Sequence, residues 1–344
     1  MKAVVKSKAE AGLDLMDIEV PGLRPGEVLV KVSAVGICGS DIHVYEWTSG
    51  YEWLIPYLPT VLGHEFCGTI VELGVGVKDF EVSNKVVCMP GLPCMNCKYC
   101  QRGEHNRCIK RKSIGLHEWG AFAEYVAIPA TNCLLLDENI SSEVAALAEP
   151  LAVVVNAIEI SKLTIVENVA VMGPGPIGLM VTLLAKRAGA SRVILIGTKS
   201  DRKRLEVGKA FGADTIIEVE EQDPVNAIMN MTRGLGVDHV FEASGASQSI
   251  KNGIKMVCKG GTMTIIGIHS LPVEIDINTI VRQEKCILGS YGSSAKTWQK
   301  VIPILYDSQE MLKNLITHRV QLDNILQGFK LAKSSEAIKV LVLS

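Results

Sequence analysis

The stretch Asn168-Val169-Ala170-Val171-Met172-Gly173-Pro174-Gly175-Pro176-Ile177-Gly178 decides the fold. Asn168 to Met172 is a short apolar run of strand character, and Ile177 to Ala188 is an apolar helix. Between them lies G-x-G-x-x-G, the pattern that opens a dinucleotide site when a strand precedes it and a helix follows. The first glycine permits the tight turn. The second lets backbone approach a pyrophosphate, and the third lets helix and strand pack closely. The free N–H groups of the helix N-terminus face the phosphates. The site therefore comprises Gly173, Gly175, Pro176, Ile177 and Gly178.

The same rhythm continues on the C-terminal side. Arg192 to Ile196 reads as a strand and Arg202 to Phe211 as a helix stopped by Gly212. Val237 to Phe241 and Thr262 to Ile266 are further buried strands. Strands alternating with helices predict a doubly wound parallel sheet, an α/β Rossmann domain over residues 156–289. Residues 1–155 read differently, as short β segments such as Glu27 to Val35 and Gly68 to Leu73 broken by Gly and Pro. A mixed segment, 290–344, closes the chain. The expected organisation is one domain from 1–155 plus 290–344, with the Rossmann domain inserted between its parts.

Lys plus Arg number 35 and Asp plus Glu 37, so no basic field is present to bind nucleic acid or an anionic membrane. No apolar run reaches the roughly 18 residues of a membrane span, and Met1 to Val5 leads straight into strand pattern with no signal core. A cytoplasmic location is expected. In that compartment ten cysteines point to metal binding before disulfides.

Four of them, Cys94, Cys97, Cys100 and Cys108, have the spacing C-x2-C-x2-C-x7-C, in a lobe over about 88–112. Four thiolates close a tetrahedral shell, so a zinc ion there is structural; an iron–sulfur cluster is the alternative. A second constellation is Gly36-Ile37-Cys38-Gly39-Ser40-Asp41-Ile42-His43 with Gly63-His64-Glu65 and, later, Glu149-Pro150. Cys38, His64 and a carboxylate from Glu65 or Glu149 give three mixed donors and leave a fourth position open, as a catalytic zinc requires.

For the cofactor, an Asp or Glu roughly 20 residues after the turn would favour NAD. Here the second strand ends at Gly197-Thr198-Lys199, with Arg202 and Arg204 following and Asp201 the first carboxylate. The Thr198 hydroxyl beside Lys199, Arg202 and Arg204 suits a 2′-phosphate, so NADP is expected, with NAD as the alternative.

These residues together resemble the zinc-containing medium-chain alcohol dehydrogenases. Gly68, Gly74 and Val77 continue the Gly-His-Glu segment at that family's spacing, and the resemblance spans essentially the whole chain. It implies a GroES-like β-barrel catalytic domain, two zinc ions per chain and an active site in the interdomain cleft. It also implies a homotetramer or homodimer that pairs through the strand near Ile287 to Gly289. By the same resemblance Cys38, His64 and Glu65 hold the catalytic zinc, with Glu149 beside it, and Asp41 orients His64. Zinc lowers the pKa of the substrate alcohol, hydride passes to the nicotinamide, and the proton leaves through Ser40 and His43. Ser40 as a plain helix cap is the alternative for that residue. A non-catalytic zinc-binding remnant is the alternative for the chain.

Two branches compete for the substrate. Glu149-Pro150-Leu151 resembles the polyol dehydrogenases. Tyr45-Glu46-Trp47, Gly289-Ser290-Tyr291-Gly292 and Ile316-Thr317-His318-Arg319 resemble threonine 3-dehydrogenase. Ser293 stands where the threonine branch carries Arg, and Glu149 where it carries Asp, so a neutral polyol is the first expectation and L-threonine the alternative. Trp47, Tyr51, Trp53 and Trp119 either wall the cleft or pack loops. Ser83-Asn84-Lys85 departs from the family's Gly-Asp-Arg turn.

Overall fold

A computed structural model describes residues 1–344. The chain divides into two compact units, Met1–Pro150 with Ser294–Ser344, and Leu151–Ser293. No helix is long and apolar enough to cross a membrane.

In the first unit the strands that place functional residues are β1 (Glu27–Gly36), β2 (Glu65–Leu73), β3 (Lys85–Cys88), β4 (Gly91–Leu92), β5 (Lys112–Ser113), β6 (Tyr125–Pro129) and β7 (Cys133–Leu135). Helix α1 (Gly39–Glu46) follows β1 directly, and α2 (Ala148–Ser161) leads into the second unit. That unit contains β8 (Asn168–Met172), α3 (Pro176–Arg187), β9 (Arg192–Gly197), β10 (Thr215–Glu218), β11 (Val237–Glu242), β12 (Val257–Ile265) and β13 (Cys286–Gly289). The chain ends with β14 (Ile316–Gln321) and β15 (Lys339–Leu343) in the first unit.

The first unit is built on a seven-stranded sheet in the order β7-β3-β2-β1-β15-β14, with β6 also paired to β1. Val28, Val30, Val32, Val35, Ile70, Val126 and Val342 from these strands close on Phe122 and Phe329 in one core. β-branched residues fit a pleated surface, and each buried side chain of this size contributes about 1.5–3 kcal/mol. The second unit is a six-stranded parallel sheet, β10-β9-β8-β11-β12-β13. Val169 to Met172 of β8 are all buried, as expected of a central parallel strand covered on both faces. The order reverses between β8 and β11, where open parallel sheets bind their ligands.

Ser83 opens the Ser83-Asn84-Lys85 turn in the left-handed region that glycine favours. Ser83 adopts φ 79°, donates its N–H to Ile70 O at 2.8 Å, and is braced by Asn84 Oδ1 accepting the Glu81 N–H at 2.8 Å. A left-handed non-glycine residue costs roughly 1–2 kcal/mol, and glycine's extra unfolded-state entropy returns about half of that. Ser83→Gly is therefore expected to stabilise the protein by about 0.5–1 kcal/mol. Thermal or urea unfolding measures this, and a lowered midpoint would contradict the assignment of strain.

Candidate active site

Strand pairing assembles the first constellation. At the register where β1 ends, Gly36 lies opposite Glu65, the first residue of β2. A Cβ on Gly36 would fall 2.2 Å from Glu65 Oε2, so glycine is what admits that carboxylate. Two residues past the strand, Cys38 caps α1: its N–H donates to Asp41 Oδ2 at 2.9 Å, closing a capping box. The cap is thus Cys38; Ser40 stands inside the helix. Ser40 and His43, three residues apart, share a face of α1.

The ligand atoms of Cys38, His64 and Glu65 lie within 4.8 Å of one another. Zinc bonds of about 2.0–2.3 Å put ligand atoms roughly 3–4 Å apart, so sulfur, nitrogen and oxygen donors at this spacing fit a zinc ion. Asp41 is fully buried, and its Oδ1 faces His64 Nδ1 at 3.5 Å, which leaves Nε2 for the ion. Burial works against a charged His64, yet Asp41 and the Cys38 thiolate overcome it and raise its pKa well above the usual histidine value. A metal cation would take the place of that proton. Glu149, in the first turn of α2, does not converge with the three atoms. It stands close enough that burial and then its charged neighbours act on it, and its pKa is pushed up to about 7.

A residue that the sequence reading missed completes the cluster. Lys339 opens β15, and its Nζ donates to Glu65 Oε2 at 2.5 Å and to Ile37 O at 3.2 Å. Lys339 and Glu65 are 3% and 1% exposed. Burial alone would lower the lysine's pKa, but Glu65 and Cys38 hold it above the ordinary value. The sequence signal is a lone lysine heading the apolar strand Lys339-Val340-Leu341-Val342-Leu343.

In the lobe, Cys94, Cys97, Cys100 and Cys108 also bring their sulfurs within 4.8 Å of one another, which fits a closed tetrahedral zinc. The Cys94 N–H donates to Cys108 Sγ at 3.2 Å. Backbone N–H groups of Cys100 and Ile109 hold the Cys97 thiol down at about 6. Burial, followed by its neighbouring thiols, pushes Cys100 up to about 12. All ten cysteines are free of disulfides.

In the second unit the glycine turn has the form a pyrophosphate needs. Gly173 has φ 96° and abuts Ser244, and a Cβ on Gly178 would lie 1.9 Å from Gly173 O. Open space surrounds Gly175, the N-cap of α3, and Pro176 starts the helix where its missing N–H costs nothing. Ile177 follows, half-buried. At the end of β9, Thr198 gives its N–H and hydroxyl to Asp201 Oδ2 at 3.1 and 2.7 Å, and Arg204 pairs with Asp201 Oδ1 at 3.1 Å. Arg202 is turned onto Glu218 and Glu221, at 3.0 and 2.9 Å, and the Lys199 N–H donates to Glu220 at 2.8 Å. Of the cations read from the sequence, Arg202 and Arg204 thus carry their own carboxylates.

The aromatic residues separate. His43 stacks on Tyr51 at 5.8 Å, and Tyr51 lies 6.2 Å from Trp53. Trp47 covers the buried Lys6 ammonium at 5.1 Å. Trp119 instead lines a cavity of about 340 Å³ with Met1, Arg24 and Glu118, which none of the three convergent metal-type residues lines.

The Alcohol dehydrogenase GroES-like domain matches residues 24–138, and the Zinc-binding dehydrogenase domain matches 176–307. L-threonine 3-dehydrogenase from Rhizobium etli is 34% identical over 343 residues, covering 99% of this chain and 98% of its own. The crystal structure of 2R,3R-butanediol dehydrogenase from Bacillus subtilis has a TM-score of 0.90 at 30% identity, over 100% of this chain and 99% of its own. A zinc-binding dehydrogenase from Sinorhizobium meliloti, solved with NADP bound, has a TM-score of 0.89 at 30% identity, with the same coverage. The chain belongs to the zinc-dependent medium-chain alcohol dehydrogenases. It is an NAD(P)-dependent oxidoreductase acting on CH–OH groups of small molecules.

The buried Glu65–Lys339 pair gives a prediction. Removing one partner of such a pair leaves an uncompensated charge at a cost of about 3–5 kcal/mol. Lys339→Met should lose that much in urea unfolding of chelator-treated protein, and Glu65→Gln in the same background should restore part of it. A loss below about 1 kcal/mol would show that the pair carries little.

Proposed function

We propose that the chain oxidises the secondary carbinol of L-threonine, or of a similar 2-amino-3-hydroxy acid, with NADP as hydride acceptor. The observation that carries this reading is the full-length similarity to proteins named L-threonine 3-dehydrogenase, 33–35% identical from rhizobia to Pyrococcus. It lifts the threonine reading above the polyol reading that the sequence put first. A second reading, a neutral vicinal diol, is favoured by Ser293 in the place of an arginine and by the butanediol dehydrogenase neighbour.

In this reading Cys38, His64 and Glu65 hold a catalytic zinc, with Glu149 beside it, and the four lobe cysteines hold a structural one. That zinc would supply Lewis-acid polarisation of the carbinol oxygen and lower the pKa of the hydroxyl. NADP would supply the nicotinamide that accepts the carbinol hydrogen with its electron pair as hydride. The hydroxyl proton leaves through Ser40 and His43. Thr48 Oγ1 lies 3.3 Å from His43 Nδ1, so the relay uses the other ring nitrogen. Gly173, Gly175, Pro176, Ile177 and Gly178 would hold the phosphates of NADP.

The preference for NADP rests on Asp201, whose carboxylate is taken up by Thr198 and Arg204 and so is withdrawn from a ribose hydroxyl. Arg202 is held by Glu218 and Glu221, and the Thr198 hydroxyl and Arg204 are held by Asp201, so the expected contact to a 2′-phosphate rests on Lys199. Assembly as a homotetramer or homodimer is supported by β13, the edge strand of its sheet. A cytoplasmic location is supported by the ten unpaired cysteines.

Three measurements test this. Metal analysis should find about two zinc ions per chain, falling to about one with loss of turnover in Cys38→Ser; two retained ions would contradict the ligand assignment. Initial rates should give L-threonine a kcat/KM at least about tenfold above that of 2R,3R-butanediol. The reverse order selects the diol reading, and turnover of neither overturns both. With the better substrate NADP should exceed NAD in kcat/KM, and a preference for NAD would overturn the 2′-phosphate reading.

A further inference from the structure

A buried carboxylate that the function above leaves unused closes β11. Glu242 is fully buried. On one side it pairs with Met172 of β8, the residue before Gly173, and on the other with Ile265, the last residue of β12. It thus stands at the carboxyl ends of the strands, where the sheet order reverses. Its Oε1 accepts the Ser244 N–H at 2.7 Å, the Ser244 hydroxyl at 2.5 Å and the Gly245 N–H at 3.0 Å. Its Oε2 faces His269 Nε2 at 3.2 Å. Ser244 in turn lies against the glycine turn: a Cβ on Gly173 would fall 2.8 Å from both Cα and Cβ of Ser244.

The loop that carries His269 is pressed onto the same carboxylate. The Ile266 and Gly267 N–H groups donate to Glu242 O at 2.8 and 3.1 Å. A Cβ on Gly267 would lie 2.6 Å from Glu242 Oε2 and from Gly245 N. A Cβ on Gly245, at φ 69°, would lie 2.8 Å from Ile268 O. Two bare backbones therefore let the loops after β11 and β12 interlock around Glu242. The His269 side chain is 15% exposed, and its Nδ1 is buried with no hydrogen-bond partner in the chain. A carboxylate only accepts, so Nε2 carries the proton and Nδ1 of the neutral ring is an acceptor. Buried polar atoms are nearly always paired, so a lone acceptor beside a ligand-binding turn marks a contact that the ligand makes.

The sheet order says which part of the ligand that is. With the pyrophosphate on the Gly173–Gly178 turn and the adenosine ribose at the end of β9, the other half of a dinucleotide is directed to the ends of β11 and β12. Its hydrogen-bond donors are the ribose hydroxyls and the carboxamide N–H. We propose that His269 is a cofactor-binding residue for the nicotinamide half, its Nδ1 accepting a hydrogen bond from one of those donors while Glu242 fixes its ring. The contact grips the reactive end of the dinucleotide and is independent of the substrate and of the 2′-phosphate.

The test uses two variants that divide the imidazole. His269→Gln sets an amide nitrogen near the place of Nε2 and keeps a donor for Glu242, but offers nothing at Nδ1. His269→Asn sets an amide oxygen near the place of Nδ1. Calorimetry on the zinc-loaded full chain measures binding of NADH, NADPH, ADP-ribose and 2′-phospho-ADP-ribose, the last two lacking the nicotinamide ring. Urea unfolding is followed alongside. His269→Gln should weaken the reduced dinucleotides roughly three- to tenfold, the worth of one hydrogen bond, with the ring-less fragments and the unfolding midpoint unchanged. His269→Asn should recover part of the dinucleotide affinity. Undiminished dinucleotide binding in His269→Gln would overturn the proposal. So would an equal loss for the fragments, or affinities that follow the unfolding midpoint across both variants, since the ring would then only brace Glu242 and the glycine turn. NAD and its 3-acetylpyridine analogue, in which methyl replaces the amide nitrogen, identify the donor. A loss in His269→Gln seen with NAD but not with the analogue assigns the carboxamide, and a loss seen with both assigns a ribose hydroxyl.

Discussion

Gly36 and Glu65 face each other across two antiparallel strands, and the absent side chain of the one makes room for the carboxylate of the other. Much of the first unit's chemistry follows from that register. Cys38 caps the helix that begins just past Gly36, and His64 precedes Glu65 on the opposing strand. On the other side of β1, Leu341 of β15 pairs with the same Gly36, and Ile37 N–H donates to Val340 O at 3.0 Å. Residues more than 270 positions apart, Glu65 and Lys339, are thereby brought into a buried ion pair. A one-residue slip would turn the Glu65 and Lys339 side chains to the wrong face.

The cluster is electrostatically balanced in an unusual place. A thiol, an imidazole, three carboxylates and an ammonium share a largely buried volume, where an unpaired charge is costly. Each charged member has a partner: Asp41 for His64, Lys339 for Glu65. Glu149 lacks a direct one and responds to burial with a raised pKa. A divalent cation among Cys38, His64 and Glu65 would complete the set, which is why the donor atoms and their second-layer contacts read as a metal site.

What the sequence makes legible is what depends on local spacing. The glycine turn, the four lobe cysteines and the strand–helix alternation of the second unit are short-range patterns, and the folded chain displays them at those positions. Cys38 and His64 are recognisable because each sits in a short dense motif. Lys339 is not recognisable in that way. Its meaning comes from pairing between distant strands, β15 with β1, which no spacing rule encodes. The cations after Thr198 are a case of the opposite kind. A run of Lys and Arg is conspicuous in sequence, but Glu218, Glu220, Glu221 and Asp201 reach it only through the fold.

The central claim is that one metal ion is held by the thiolate at 38, the imidazole at 64 and the carboxylate at 65. Anomalous diffraction at the zinc absorption edge tests it directly on crystals of the untreated protein. The account predicts two peaks per chain, one within the four-cysteine lobe and one within bonding distance, about 2.0–2.3 Å, of Cys38 Sγ and His64 Nε2. A lobe peak alone, with Cys38 and His64 still facing each other and no density between them, would contradict it.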